Sequence, residues 1–550
     1  MSSTLPYTVT PLDYSATGYF TKLITDYLKC DAWLKQFYAH EPTMLSVEEA
    51  IRTKRNQKLY RKELADALLK QYDGLLKEGD AAHKNILALK KENAFTVVTA
   101  HQPNLFLGPL YLIYKITSAI KMAELLNEKY PSEKFIPVYW MGSEDHDVDE
   151  LNHISLFGKK IEWNLKQKGS FGNYNTESLG GLIDGLKEVA GNSPHTDELI
   201  QLLKTSYLES KTITEATRKL LHHFFGKQGL VIVDGDDSAL KKIFQPMMQD
   251  ELLNSTSEKL VNATIVKLEE NYPVQVKPRN INLFYLKENL RERIVRETPH
   301  PTLSLVEEGN TNTAYKVLNT DIVFSQQEIL RELENHPARF SPNVVLRPLY
   351  QEMILPNIAF IGGGAEVSYF MEFKNSFEHY KIAFPILFLR NCALVIDKSS
   401  AARMNKFGIT ETSLFTDTEE LIKSFTLQQA GDSFQMNEER SELEKLFQQL
   451  KSKTSALDKT LENQIAAEQT RVMKFIQSLE ERLLKTEKKK HEDSIQQIRK
   501  LIEKLFPDNS LRERHESFIA FYLSHGDEFF TIIHEAFDPF EKKFSVISLQ

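Results

Sequence analysis

Four short runs rich in Val, Ile, Phe and Trp end abruptly in polar or glycine-rich sequence: FTVVTA before His101, FIPVYWM before Gly142, GLVIVDG ending at Gly235 and IAFIGGG ending at Gly364. Near-continuous apolar content predicts strands covered on both faces, as in a parallel sheet, with helical stretches such as Leu110 to Lys129 as crossovers. The fold class is therefore α/β. A fifth apolar stretch, FPILFLRNCALVI, is too short to span a bilayer and carries Arg390, so it reads as a buried strand followed by another element.

From Asp432 to Phe506 the pattern changes: the run holds neither glycine nor proline, and Pro507 ends it. Leu443, Leu450 and Leu457 recur every seven residues, and after a one-residue slip the stripe resumes at Ile465, Val472 and Leu479 among Glu, Lys and Gln. This predicts a long helix or helical hairpin whose stripe is buried against another helix. The charged stretch TEKKKHED around Lys488 reads as a solvated face, with a turn there as the alternative. The aromatic-rich segment HESFIAFYLSHGDEFFTIIHEAF, after Pro507, reads as packing back onto a folded body.

A chain of 550 residues exceeds one hydrophobic core, so two or three units are expected: a core over 1–430, the helical run over 431–506 and a returning segment over 507–550. With 41% hydrophobic and 26% charged residues the composition is that of an ordinary globular protein. The net charge of −8 is spread without a basic stripe, which gives nucleic acid or an anionic membrane no support and favours a small-molecule partner. Cys30 and Cys392 are far apart and lack CxxC spacing, which suits a reducing compartment. The N-terminal sequence MSSTLPYTVTPLDYS has no basic-then-apolar pattern of a secretory signal, so a cytoplasmic location is expected.

Ligands of parallel sheets bind beyond the strand C-termini, and the chemically rich residues follow the predicted strands. In HQPNLFLGP, His101 and Gln102 stand at a strand exit before a helix start, placed to donate to a carboxylate or phosphate; the alternative is a turn cap. Lys115, further along that helix, reads as a solvated residue. GSEDHDVDE packs Glu144, Asp145, His146, Asp147, Asp149 and Glu150 into one loop, which is self-repulsive without a cation: a metal, a substrate ammonium or internal arginines. Asp149 and Glu150 read as acids complementing a helix N-terminus. Glu144, Asp145 and His146 are the functional candidates, since neighbouring carboxylate and imidazole suit acid–base work. LRPLYQEMILPNIAFIGGGAEVSYF joins Arg347 and Gln351 to a glycine triplet, Glu366 and Tyr369. Arg347 suits a substrate carboxylate or an internal acid, and the glycines allow close backbone approach or a tight turn. Asp234, Asp236 and Asp237 read as a turn, and Lys277, Arg279 and Arg291 have no spacing that names a ligand.

HQPNLFLGPLYLIYK, VYWMGSEDHDVDELNH, QVKPRNINLFY, LRPLYQEMILPNIAFIGGGAEVSYF and the closing helical run together resemble the BshC family, cysteine-adding enzymes of bacillithiol biosynthesis, over nearly the whole chain. The resemblance implies a Rossmann-like parallel-sheet core similar to class I aminoacyl-tRNA synthetases. It also implies inserted connecting segments, roughly over 155–225 and 255–335, and a C-terminal α-helical coiled coil that mediates homodimerisation. The implied reaction joins the carboxyl of cysteine to the amine of glucosaminyl malate as an amide, in the last step toward bacillithiol. Carboxylate activation makes ATP/ADP the expected nucleotide, and no metal is assigned. HQPNLFLGP stands where the synthetase HIGH signature would, sharing only His101 in kind, and no KMSKS signature is present.

On this reading His146, Asp145 and His101 are catalytic, with His146 accepting the proton of the attacking amine. Gln102, Asn104, Gly108, Glu144, Asp147, Arg347, Gln351, Gly363, Gly364, Glu366 and Tyr369 bind substrate. Two rival classes remain: a dimeric nucleotide-binding scaffold or regulator, in which the coiled coil is the working part, and a metal-dependent hydrolase using the acidic loop.

Overall fold

The structure is a computed structural model, and it describes residues 7–297, 314–430, 436–455 and 460–549. The chain divides into two compact units, and the division falls between Ala393 and Leu394. The larger unit spans Asp13–Ala393 and Glu513–Ser545; the smaller holds Met1–Leu12, Leu394–Arg512 and Val546–Gln550. The boundary precedes the change of periodicity near residue 431 because the helices Lys398–Phe407 and Thr418–Ala430 pack with the helical run that follows them.

All five apolar runs are strands of one parallel sheet in the larger unit: β1 (Ala94–His101), β2 (Lys134–Met141), β3 (Val231–Asp234), β4 (Asn357–Gly362) and β5 (Ile386–Leu389). Their order is β3-β2-β1-β4-β5, every neighbour parallel, which is the Rossmann-like arrangement. On one face Phe95, Val97, Phe135, Ile361 and Phe388 pack with Ala119, Met122 and Leu126 of helix α1 (Tyr111–Lys129) and with the helix Val47–Arg55. Side chains two apart on a strand share a face, and the opposite face of β1, at Thr96 and Val98, is buried as well.

The register levels the strand ends. His101 stands opposite Met141, Met141 opposite Asp234, and Gly362 opposite Leu389. The loops after β1, β2, β3 and β4 therefore emerge side by side. Strand order reverses between β1 and β4, the place where such sheets open a crevice. The crossover from β3 to β4 carries helix α2 (Ser238–Asn254) and an antiparallel sheet. In that sheet the hairpin Leu283–Lys287 and Leu290–Glu297 lies between Phe340–Pro342 and Ala314–Val317. Helices α3 (Arg347–Ile354) and α4 (Gly364–Glu372) flank β4.

In the smaller unit the glycine-free run forms α5 (Asn437–Ser455), α6 (Thr460–Lys490) and α7 (Glu492–Leu505). The run is thus more than one helix: α5 packs against α6, with an ion pair of 2.8 Å between Arg440 and Glu480. Leu443, Ile465, Val472 and Leu479 are half-buried and Leu450 is exposed; Leu457 lies outside the described residues. The chain turns at His491, inside TEKKKHED, and Lys488 pairs with Glu419 at 3.1 Å rather than standing free in solvent. Among the described residues no helix is long and apolar enough to cross a membrane.

Arg390, the charge inside the most apolar stretch, is buried and its Nη2 donates to Oε1 of Glu513 at 2.5 Å. The second oxygen of Glu513 accepts from the Ala393 backbone at 3.0 Å. Removing one partner of a buried pair leaves an uncompensated charge. Glu513→Ala is therefore expected to lower unfolding stability by about 3–5 kcal/mol, read from the denaturant midpoint of the full chain; a change within experimental error would refute the pair's role.

Candidate functional site

Beyond the level strand ends lies a cavity of about 820 Å³. His101 and Gln102 from the β1 exit, Glu144, Asp145, His146 and Asp147 from the β2 exit, and Arg347, Glu366 and Tyr369 from α3 and α4 all line it. Three segments far apart in sequence thus share one space of the size that holds small ligands. Lys277, Arg279 and Arg291, which had no assigned ligand in the sequence, line it too.

His101 ends β1. Its Nε2 shares a hydrogen bond of 2.9 Å with the Tyr111 hydroxyl, and Tyr139 donates to its backbone carbonyl at 3.0 Å. Burial depresses the imidazole, and the charges of Lys115, Arg390 and Arg347 add to this against the opposing pull of Asp145, so His101 is held neutral well below its ordinary range.

Lys115 corrects the expectation of a solvated residue. It is buried, donates to the Ala100 carbonyl at 3.0 Å and pairs with Glu366 at 2.5 Å. Tyr111 and Lys115 are four apart on α1 and so face the same way. Glu366 also accepts the Gly363 N–H at 2.7 Å, closing the first turn of α4. That return needs Gly362, where a Cβ would lie 2.9 Å from the Phe360 ring and 3.0 Å from the Glu366 Cβ. Gly363 and Gly364 do not line the cavity; they carry the chain from β4 into α4.

The acidic loop finds its counter-charges inside the protein. Glu144 and Asp236 both pair with the ammonium of Lys241, which is fully buried on α2. Burial pushes the Glu144 carboxyl up to about 7 against the attraction of Lys241. Asp145 accepts from Gln102 at 3.0 Å and from the His146 backbone at 2.7 Å, and its Oδ1 lies 3.5 Å from Arg291. Burial raises this carboxyl, but the bonds from His146, the Arg291 charge and the Gln102 amide outweigh it, and Asp145 stays ionised far into acid. Arg291 Nη1 is 2.5 Å from His146 Nδ1, and its guanidinium lies 3.9 Å from the centre of the Phe284 ring. Because a guanidinium only donates, His146 Nδ1 is the acceptor in this contact.

Arg347 has no carboxylate partner among the described residues. Nη1 donates to Gln351 Oε1 at 2.9 Å and Nη2 to the Tyr369 hydroxyl at 3.0 Å. Of the five N–H donors of a guanidinium, the other three have no partner among the described residues, and the side chain borders the cavity. Tyr369 stands three residues after Glu366 on the same face of α4, and burial pushes its hydroxyl up to about 12.

Three further residues assigned to substrate binding lie behind the wall. Gln351 is fully buried under Arg347. Asn104 is buried and donates to the Glu150 carbonyl at 3.3 Å. Gly108, at φ +60°, packs so tightly on Asn104 that a Cβ would lie 2.6 Å from the Asn104 Cβ. Both shape the turn into α1. Asp237 caps α2 by accepting from Ala239 and Leu240, as a turn residue would, whereas Asp236 belongs to the Lys241 cluster. Asp149 and Glu150 stand in the first turn of Val148–Leu151, and Glu150 also reaches the cavity. No spacing in the sequence named a ligand for Arg291; its role is created by a hairpin that packs from the β3–β4 crossover.

Comparison with known proteins bears on the same chain. Residues 7–391 match the family model described as Bacillithiol biosynthesis BshC, N-terminal Rossmann-like domain, and residues 393–549 match the one described as Bacillithiol biosynthesis BshC, C-terminal coiled-coil domain. A protein of Flavobacterium psychrophilum named "Putative cysteine ligase BshC" is 41% identical over 541 residues, 98% of each chain. Proteins of the same name from Flavobacterium johnsoniae and Christiangramia forsetii are 39% identical over 540 residues and 38% identical over 544 residues, each spanning 98% of this chain and 99% and 98% of their own.

The neutral His101 makes stability depend on pH with a definite sign. As pH falls below about 6.5 the unfolded chain takes up a proton at this histidine and the folded chain does not, so folding weakens on acidification. His101→Gln removes that component. Thermal midpoints of the full chain at pH 7.5 and 5.5 are expected to fall less in the variant than in the wild type; an equal fall would show that His101 titrates normally when folded.

Proposed function

The chain belongs to the BshC family of bacillithiol biosynthesis, and on that premise we propose that it is a ligase joining the carboxyl group of cysteine to the amine of glucosaminyl malate, the amide-forming last step toward bacillithiol. The observation that carries this reading is the single cavity with both signs of charge on its wall: Lys277, Arg279 and Arg347, unpaired with any acid among the described residues, and the carboxylates of Glu144, Asp145 and Glu366. A zwitterionic amino acid and a malate conjugate need that pattern.

Arg347 supplies a planar edge of free N–H groups, which suits a malate carboxylate. Glu144 and Glu366 are held closely by the buried Lys241 and Lys115, whereas Asp145, bonded to Gln102, has its cation Arg291 at a longer 3.5 Å and is the carboxylate that receives the cysteine ammonium. Asp147 borders the same place. His146 takes the proton that the amine loses as the C–N bond forms. Its Nδ1 accepts from Arg291, so the base is freed when that contact is released. His101 and Tyr111 offer a neutral hydrogen-bonding pair beside the reacting carboxyl.

ATP, when bound, supplies the activation that turns a carboxylate into an acyl donor. Lys277 and Arg279, exposed on the cavity wall, are the residues that fit its phosphates. The N–H of Gly363 at the start of α4 is taken by Glu366, so phosphate binding relies on these side chains rather than on that helix start. Exposed Leu446, Leu450 and Phe475 on the long helices suit a homodimer through the coiled coil, and the free thiols of Cys30 and Cys392 suit a cytoplasmic location.

The test is mass spectrometry of the product formed from cysteine and glucosaminyl malate by the full chain, with and without ATP. The expected outcome is the cysteinyl amide only with ATP, with kcat/KM reduced about a hundredfold in Arg347→Ala. Unchanged product formation in both His146→Ala and Asp145→Ala would remove these two residues from the mechanism.

A further inference from the structure

Beneath Arg347 runs a line of side chains that the reaction itself does not touch. Glu352, fully buried on α3, accepts at Oε1 from the Asn357 amide at 2.8 Å and from the Gln351 amide at 2.8 Å. The oxygen of the same Gln351 amide accepts from Arg347 at 2.9 Å, and Arg347 reaches Tyr369 at 3.0 Å. On the far side Lys54, buried as well, lies 3.6 Å from the other Glu352 oxygen and donates to the Glu352 backbone carbonyl at 2.7 Å and to Gln57 at 3.1 Å.

A carboxamide has one donating and one accepting end. The guanidinium can only donate, so the Gln351 oxygen must face it. The Glu352 oxygen already accepts from Asn357, so the Gln351 nitrogen faces there. The polarity of this buried amide is thereby set from both sides: its oxygen and its nitrogen are both hydrogen-bonded, which holds its orientation, while Glu352 Oε2 faces Lys54 at 3.6 Å without a hydrogen bond.

We propose that Glu352 and Gln351 are positioning residues that act through Arg347, holding its guanidinium between Gln351 and Tyr369 so that its free edge meets the malate carboxylate of the second substrate. This rests on Arg347 as the carboxylate-binding group of the ligase. Neither residue borders the cavity, and neither contacts substrate. Gln351 is thus moved from substrate binding to support, and Glu352, which no motif singled out, joins it. An arginine with no acid partner keeps its charge available to a ligand, at the cost of weaker anchoring, and the buried amide provides the anchoring.

The experiment uses the full chain with Glu352→Leu, Gln351→Leu and Glu352→Gln. The two leucine variants are expected to raise KM for glucosaminyl malate about tenfold while kcat and KM for cysteine stay within about twofold. Glu352→Gln keeps one oxygen for both amides and is expected to restore KM. Crystal structures supply the second readout: the Arg347 guanidinium leaves its place in Glu352→Leu and keeps it in Glu352→Gln. A guanidinium that keeps its place in Glu352→Leu overturns the proposal, as does a KM that is unchanged or that rises equally for both substrates. Should Glu352→Leu fail to fold, Gln351→Leu carries both readouts. A wild-type chain that forms no product sinks the ligase reading, and the position of Arg347 in the variants still decides the positioning role.

Discussion

The ammonium of Lys115 is buried between β1, α1 and α4, and a charge in that place persists only if its surroundings satisfy it. The Ala100 carbonyl takes one N–H and the Glu366 carboxylate neutralises it, so the end of β1 and the start of α4 are held together across the point where strand order reverses. Glu366 then closes the first turn of α4, and the helical period brings Tyr369 onto the same side, where it receives Arg347. The His-Gln turn, the glycine-flanked glutamate and the arginine meet because this one charge is satisfied.

Lys241 does for the β2 and β3 exits what Lys115 does for β1 and β4. Two acid-rich loops, left to themselves, would repel; Glu144 and Asp236 instead share one buried ammonium. Arg291 performs the same service for Asp145 while stacked on Phe284. The cations of the cavity therefore fall into two groups. Lys115, Lys241 and Arg291 lie against carboxylates and build the wall, whereas Arg347, Lys277 and Arg279 have no such partner among the described residues and remain available to an anion. Counting charges in the loops does not separate these groups; their neighbours do.

The smaller unit shows a different relation between pattern and structure. A long stretch without glycine or proline permits a helix but does not say where it folds back, because nothing local breaks it. The separation of α5 from α6 and the turn at His491 come from packing of one helix against another and from ion pairs such as Arg440 with Glu480. The stripe that predicted burial is only partly covered within one chain: Leu443, Ile465, Val472 and Leu479 are half-buried and Leu450 is exposed, and Leu446 and Phe475, outside the stripe, are exposed as well.

By itself the sequence determined the strands, their parallel class, the helical run and the loops that carry the chemistry. Each of these follows from short-range rules: continuous apolar content for a strand covered on both faces, polar residues at its exit, and helix-compatible composition. It also carried His101, Asp145, His146, Arg347, Glu366 and Tyr369 as candidates, because their residue types are chemically rich and follow strands. Only the tertiary structure decided which of them share the cavity, that Lys115 is buried, that Gln351, Asn104 and Gly108 stand behind the wall, and that Arg291 enters from a distant hairpin. Burial and pairing depend on contacts between residues far apart in the chain. No local pattern encodes whether a lysine or an arginine ends against an acid, against a neutral amide or against open space.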